Sequence, residues 1–145
     1  KKNGVTVIED CYNASPESMK AALGVMNSVY SGSPANTGRR IAVLGNMLEL
    51  GEQSASLHDG LGEFAAEDAD ILFTLGDDAE RIAESARKFG LSDCRCYKFN
   101  EDGKAALSRD LVSEYRDGDI VLFKASHFIG LEQMAREIFG NSDNE

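Results

Sequence analysis

The sequence predicts an α/β domain, a doubly wound, mostly parallel sheet of about five or six strands flanked by helices. Three observations predict it. Strand-like runs at 5–10, 41–45, 70–76, 94–100 and 120–123 alternate with segments that repeat apolar residues at three- and four-residue steps. The runs Ile41-Ala42-Val43-Leu44 and Ile120-Val121-Leu122-Phe123 are continuous rather than alternating, as in strands covered on both faces. The connections between runs are short, as βα units require.

The first strand, Val5-Thr6-Val7-Ile8, is β-branched and apolar and ends on Glu9-Asp10. A polar turn, Cys11 to Ala14, leads to Ser15-Pro16-Glu17-Ser18. There Ser15 can cap a helix, Pro16 suits the first helical position, and Glu17 suits the positive end of the dipole. The helix runs to Ser31, with Met19, Leu23, Met26 and Tyr30 on its core stripe. Residues 32–38 are a loop by composition. After the second strand, Gly45-Asn46-Met47-Leu48-Glu49-Leu50-Gly51 is a loop with apolar side chains that must pack on something. Residues 52–67 read as one helix, with Leu57, Leu61, Phe64 and Ala65 inward and His58 a surface or hydrogen-bonded residue. The third strand ends at Gly76. Asp77 is a good N-cap for a helix at 79–89 that stops at Gly90. The fourth strand is the least hydrophobic and belongs near an edge. A helix at 103–115 turns Ala106, Leu107, Leu111, Val112 and Tyr115 inward. The fifth strand runs into Lys124-Ala125-Ser126-His127. The last helix spans 130–139, and 141–145 is a disordered tail.

The 145 residues amount to one domain. A chain of that size buries roughly 68–70% of its unfolded surface and needs neither disulfide nor metal. With Lys+Arg 15 against Asp+Glu 25, the formal charge is −10. Nucleic acid and anionic membranes are poor partners for such a surface. No run approaches the roughly 18 apolar residues of a membrane span. The start, Lys1 to Gly4, enters a strand almost at once without a signal-peptide apolar region, so the chain reads as part of something longer. Cys94 and Cys96 share a strand face. Two thiols without a second ligand pair are a weak metal signal, and reduced thiols in a cytoplasmic protein are the better reading.

A parallel sheet gathers its strand ends at one edge, where ligands bind. The polar residues there are Asp10 to Asn13, Asn46 to Glu49, Asp77-Asp78, Asn100-Glu101 and Lys124 to His127. Asp10 alone could simply satisfy backbone donors in its turn. Lys124, at the end of a very apolar strand, needs an acidic partner such as Asp10, or else serves to recognise a carboxylate or phosphate. Neither Gly-x-Gly-x-x-Gly nor Gly-x-x-x-x-Gly-Lys-Ser/Thr occurs, so the chain carries no common phosphate-cradling loop.

Three motifs together resemble the Mur ligases of peptidoglycan synthesis. They are Asp10-Cys11-Tyr12-Asn13-Ala14-Ser15-Pro16-Glu17-Ser18-Met19, then Ala42 to Glu52 with His58 after it, then Lys124-Ala125-Ser126-His127. The resemblance runs from about residue 5 to 139 and covers only the family's C-terminal domain, which is Rossmann-like. Its best match is the branch that adds D-alanyl-D-alanine to UDP-MurNAc-tripeptide. It implies that ATP, with Mg²⁺, activates the peptide carboxylate as an acyl phosphate, which the dipeptide amine attacks. It also implies that the N-terminal and central ATPase domains lie outside this chain, and that this domain is inactive alone and monomeric. Nucleotide contacts would fall on Asp10, Tyr12 and Asn13. Acceptor contacts would fall on Asn46, Glu49, Asp77, Asp78, Lys124, Ser126 and His127. No catalytic or metal-binding residue is implied here. The family more often has Asp at Asn46, Asn at Ser15, and Gly-Ser-Arg at 125–127. His127 in place of Arg exchanges a bidentate fork for a titratable ring.

Two other readings remain open. A receiver- or flavodoxin-like binding module would want a phosphoacceptor Asp at the third strand's end, but Asp77 lies one place late. The lysine- or diaminopimelate-adding branch carries Asp-Asn-Pro-Arg where this chain has Asp77-Asp78-Ala79-Glu80.

Overall fold

The computed structural model describes residues 4–11, 14–31 and 38–140. Among the described residues five strands form one sheet: β1 (Thr6–Asp10), β2 (Arg40–Gly45), β3 (Ile71–Leu75), β4 (Cys94–Tyr97) and β5 (Ile120–Lys124). Their order is β1-β5-β2-β3-β4, and every pairing is parallel. The helices are α1 (Pro16–Ser31), α2 (Ser54–Asp59), α3 (Gly62–Asp68), α4 (Asp77–Lys88), α5 (Glu101–Glu114) and α6 (Leu131–Phe139). Short 3₁₀ turns at Gly51–Gln53 and His127–Ile129 precede α2 and α6.

The period-2 geometry of the strands sorts the core into two layers. Ala42, Leu44, Leu72 and Leu122 face Met19, Leu23 and Met26 of α1, Leu61 and Ala65, and Ile82, Ala83 and Ala86 of α4. Ile41, Val43, Phe73, Leu75, Val121 and Phe123 face Leu107 and Leu111 of α5 and Met134, Ala135 and Phe139 of α6. This double cover is why the strands read as unbroken apolar runs. Cys94 and Cys96 lie half-buried on the first layer, as strand alternation requires. β4, with one neighbour, is half-buried throughout, which matches its weaker hydrophobicity.

At the carboxyl edge the winding parts neighbouring strand connections, and two of these places, β3/β4 and β1/β5, hold the polar strand ends. The chain steps β2, β3, β4 outward, then α5 carries it back across the opposite face to β5. α4 leaves β3 on one face and α5 leaves β4 on the other, so the strand ends part there. The same divergence separates β1, followed by α1, from β5, followed by α6.

Several expectations need correction. The helix expected at 52–67 is broken at Gly60-Leu61-Gly62 into two pieces. A Cβ on Gly62 would stand 2.2 Å from Ser85 Oγ, so α3 packs there only because that residue is glycine. The break turns Phe64 outward beneath the Lys20 ammonium, 4.8 Å from its ring centre, and buries His58. Val112 is exposed; the buried residues of α5 against the sheet are Leu107 and Leu111. Asp77 starts α4 but does not cap it; that role passes to Asn46. The apolar loop after β2 packs on its own domain, with Met47 buried. The loop expected at 32–38, except Gly38, and the tail at 141–145 lie outside the described residues.

Candidate functional site at the carboxyl edge

The first crevice lies between β1 and β5. Parallel register sets Asp10 beside Lys124. Lys124 is only 1% exposed, and its Nζ lies 3.1 Å from Asp10 Oδ2. Asp10's carboxylate is half-exposed. A buried ammonium needs such a counter-charge, because desolvation without one is expensive. The pair is therefore the structural Lys–Asp contact, and it also presents a fixed carboxylate at the rim. Cys11 Sγ donates to the Phe123 carbonyl at 3.4 Å and ties the turn to β5. Burial, and then the Glu9 charge, push this thiol up to about 12, which leaves it inert. Tyr12 and Asn13 lie outside the described residues. The start of α1 is closed by a reciprocal cap. The Ser18 N–H donates to Ser15 Oγ at 3.1 Å, and the Ser15 N–H donates to Ser18 Oγ at 2.8 Å.

The second crevice, between the ends of β3 and β4, opens into a cleft of about 520 Å³ lined by Asn46, Asp77, Asp78, Lys98, Phe99 and Asn100. Asn46 Oδ1 accepts the Ala79 N–H at 2.7 Å, so a side chain from the end of β2 caps α4. Gly76, at φ +114°, makes room for it, because a Cβ there would lie 2.3 Å from Asn46 Oδ1. Asp77 and Asp78 sit in the first turn of α4, where the helix dipole favours carboxylates. Lys98 stands across the cleft. One wall is thus acidic, the other carries an ammonium, and Phe99 supplies an apolar surface. That arrangement suits a zwitterion with a small apolar body.

The loop after β2 joins the two crevices. The Leu48 N–H donates to Ser126 Oγ at 2.9 Å, and the Ser126 N–H donates to the Asn46 carbonyl at 3.3 Å. Glu49 follows in the left-handed region at φ +63°, exposed and strained for a residue with a side chain. His127 and Phe128, the latter 79% exposed, open a 3₁₀ turn whose third residue, Ile129, is buried.

The structure therefore brings Asn46, Asp77 and Asp78 to the cleft wall. Lys124 goes to Asp10 instead, Ser126 serves as a loop staple, and Glu49 and His127 do not line the cleft. Lys98 and Phe99 were missed by sequence reasoning. The polar end of the fourth strand was the available signal, but it needed the β3–β4 pairing to acquire meaning. Among the described residues, no group of three or more His, Cys, Asp or Glu side chains could hold a metal ion. No helix among them is long and apolar enough to cross a membrane.

Comparison with known proteins adds the following. Residues 1–127 match the family described as Mur ligase, glutamate ligase domain. The UDP-N-acetylmuramoyl-tripeptide--D-alanyl-D-alanine ligase of Mycobacterium leprae is 38% identical over 97% of this chain and 29% of its own length. The Bacillus subtilis enzyme of the same name is 36% identical over 94% of this chain and 28% of its own. Among solved structures, the MurF ligase from Thermotoga maritima in complex with ADP aligns with a TM-score of 0.72 at 30% identity, covering 97% of this chain and 29% of that one. MurF from Acinetobacter baumannii aligns with a TM-score of 0.76 at 26% identity, over 95% of this chain and 29% of that one. The chain spans less than a third of the length of these relatives.

Proposed function

This chain belongs to the Mur ligase family, and on that premise we propose that residues 1–140 are the C-terminal domain of a cytoplasmic ligase adding D-Ala-D-Ala to UDP-MurNAc-tripeptide with ATP. The observation that carries the reading is that relatives matching over more than nine-tenths of this chain bear that one activity in their names. The N-terminal and central domains belong to the rest of the protein on this reading, which acts as a monomer. The chemistry is activation of the tripeptide carboxylate as an acyl phosphate, then attack by the dipeptide amine, with loss of phosphate from the tetrahedral adduct.

The chain's own residues would bind and orient. Asp10's carboxylate, half-exposed and held by Lys124, suits the hydroxyls of the nucleotide's ribose, and Tyr12 and Asn13 follow it in the chain. At the cleft, Asp77 and Asp78 suit the ammonium end of the dipeptide and Lys98 suits its carboxylate. Glu49, Ser126 and His127 belong to the loops that flank the acceptor. The family resemblance places Mg²⁺ mainly in the central domain. With no phosphate loop, the isolated chain is expected to be inactive and to bind ATP weakly; a micromolar Kd by calorimetry would contradict that.

The test follows phosphate release by the full-length protein with ATP, Mg²⁺ and UDP-MurNAc-tripeptide. D-Ala-D-Ala, L-Lys, diaminopimelate and D-Glu are offered in turn, and the series is repeated with Asp10→Asn. Turnover with D-Ala-D-Ala alone, with KM for ATP raised in the variant, is expected. Turnover with another amino component would keep the family and move the branch. No turnover from a folded protein would overturn the ligase reading.

A further inference from the structure

His58 is fully buried, on the two-turn helix α2, and none of the binding roles above uses it. Its surroundings define its chemistry. The Met47 N–H points at Nε2 from 3.0 Å, so Nε2 must accept. Nδ1 lies 2.7 Å from the Ser54 carbonyl oxygen, so Nδ1 must carry the hydrogen. Both contacts are satisfied together only by the neutral ring with its proton on Nδ1.

The contact matters because of where Met47 sits. Its neighbour Asn46 caps α4 through Ala79, and its other neighbour Leu48 is stapled to Ser126. The amides of residues 47 and 48 are each captured by a side chain from a different element, α2 and the end of β5. Ser54, on whose carbonyl the ring rests, also donates its hydroxyl to Asp78 Oδ2 at 3.3 Å. One imidazole thus links the loop after β2, α2 and the first turn of α4, the three pieces that place Asn46 and Asp78 in the cleft. Any buried imidazole needs partners for both nitrogens; here they are the backbone N–H of Met47 in the loop after β2 and the Ser54 carbonyl of α2. A leucine at this position would leave the Met47 N–H without this acceptor.

We propose that His58 is a positioning residue that fixes the backbone of Met47, and through it the Asn46 and Asp78 wall of the cleft that receives the amino component of the reaction. The proposal rests on the ligase reading for the identity of that component, but its structural part stands without it. Acting through Met47, His58 should bear on acceptor binding and leave the nucleotide crevice between β1 and β5 untouched.

Glutamine and asparagine variants separate the two ring contacts. His58→Gln can return an oxygen to the ε position facing the Met47 N–H. His58→Asn can return an N–H to the δ position facing Ser54, but leaves Met47 unserved. In the full-length protein, H58N is expected to raise KM for D-Ala-D-Ala by about tenfold, the worth of one buried hydrogen bond. H58Q is expected to stay within about threefold of wild type by the same arithmetic, and KM for ATP should hold in both. Equal acceptor KM in wild type and H58N, or a matching rise in KM for ATP, would overturn the proposal. A second arm uses the wild-type chain and needs no variant. NMR should show a coupling between the Met47 amide nitrogen and His58 Nε2, with Nε2 unprotonated at neutral pH. A doubly protonated ring, or a proton on Nε2, would overturn it. Should the wild-type enzyme fail to use D-Ala-D-Ala, the ligase reading falls. The coupling, together with amide exchange at Met47 and Ala79 in H58N against H58Q, still decides the positioning role: faster exchange at both amides in H58N alone supports it, and identical exchange overturns it.

Discussion

Replacing Asn46 with alanine separates a helix cap from a ligand contact. Asn46 Oδ1 is the acceptor for the Ala79 N–H, one of the donors that the first turn of α4 leaves without an intrahelical partner. Losing a side-chain cap of this kind costs about 1 kcal/mol, within a range of roughly 0.5–2. The lower half of that range applies for two reasons. Water can enter the cleft and serve Ala79, and the helix is held elsewhere by Ile82, Ala83 and Ala86 against the sheet. In a domain of this size about 1 kcal/mol corresponds to a fall in Tm of about 4 °C. Asn46→Asp keeps the acceptor. Its charge gains about 0.3–1 kcal/mol from the helix dipole, and Asp77 and Asp78 in the same turn oppose that gain. The aspartate variant should therefore melt within about 2 °C of wild type. Thermal and urea unfolding followed by circular dichroism measures both. An alanine variant as stable as wild type, or an aspartate variant as unstable as the alanine one, would refute the capping role.

Glu49→Gly should raise the urea midpoint, because relief of a left-handed residue gains about 1 kcal/mol and the added freedom of the unfolded chain returns only part of it; a lowered midpoint would show that φ +63° carries no strain. The Arg39 guanidinium, then that of Arg95, hold the Glu114 carboxyl below the usual 4.5, so its contribution is complete above that pH and is lost as pH falls through the lower native value. The stability gap between wild type and Glu114→Gln should accordingly stay constant above about pH 5.5 and close below pH 4.5, and a gap undiminished at pH 3 would contradict this. With Cys94 and Cys96 replaced by serine, Cys11 should resist a thiol reagent at pH 8 until the chain unfolds. A thiol pushed up to about 12 is only about one part in ten thousand ionised there, and prompt labelling of the native protein would disprove its burial.

Much of the fold was legible because its signals are local. The β-branched run before Asp10, the Ser15-Pro16-Glu17-Ser18 helix start and the continuous strands at 41–44 and 120–123 each state their conformation within a few residues, and each is found where expected. Helix 52–67 misled because apolar spacing persists across Gly60 and Gly62. The reason for Gly62, the approach of Ser85 from α4, lies more than twenty residues away in the chain. Asp77 misled for the same kind of reason. It has the right chemistry for a cap, but a better-placed acceptor arrives from β2 through the sheet.

The residues of the carboxyl edge were nameable from sequence because parallel topology forces every strand end to one side, and the motifs that resemble the Mur ligases lie on those ends. What the sequence alone determined is therefore the alternation of strand and helix, the double cover of the sheet, and a polar rim holding Asp10, Asn46, Asp77, Asp78 and Lys124. The tertiary structure decided which of these meet. It sends Lys124 inward to Asp10, sets Asn46 on α4 beneath a glycine that leaves room for it, and buries His58 under Met47. Only it sets Lys98 and Phe99 across from the acidic turn. Local conformation follows from neighbours in the chain. A site is made by strand order, and strand order is settled by the packing of helices on two faces of a sheet.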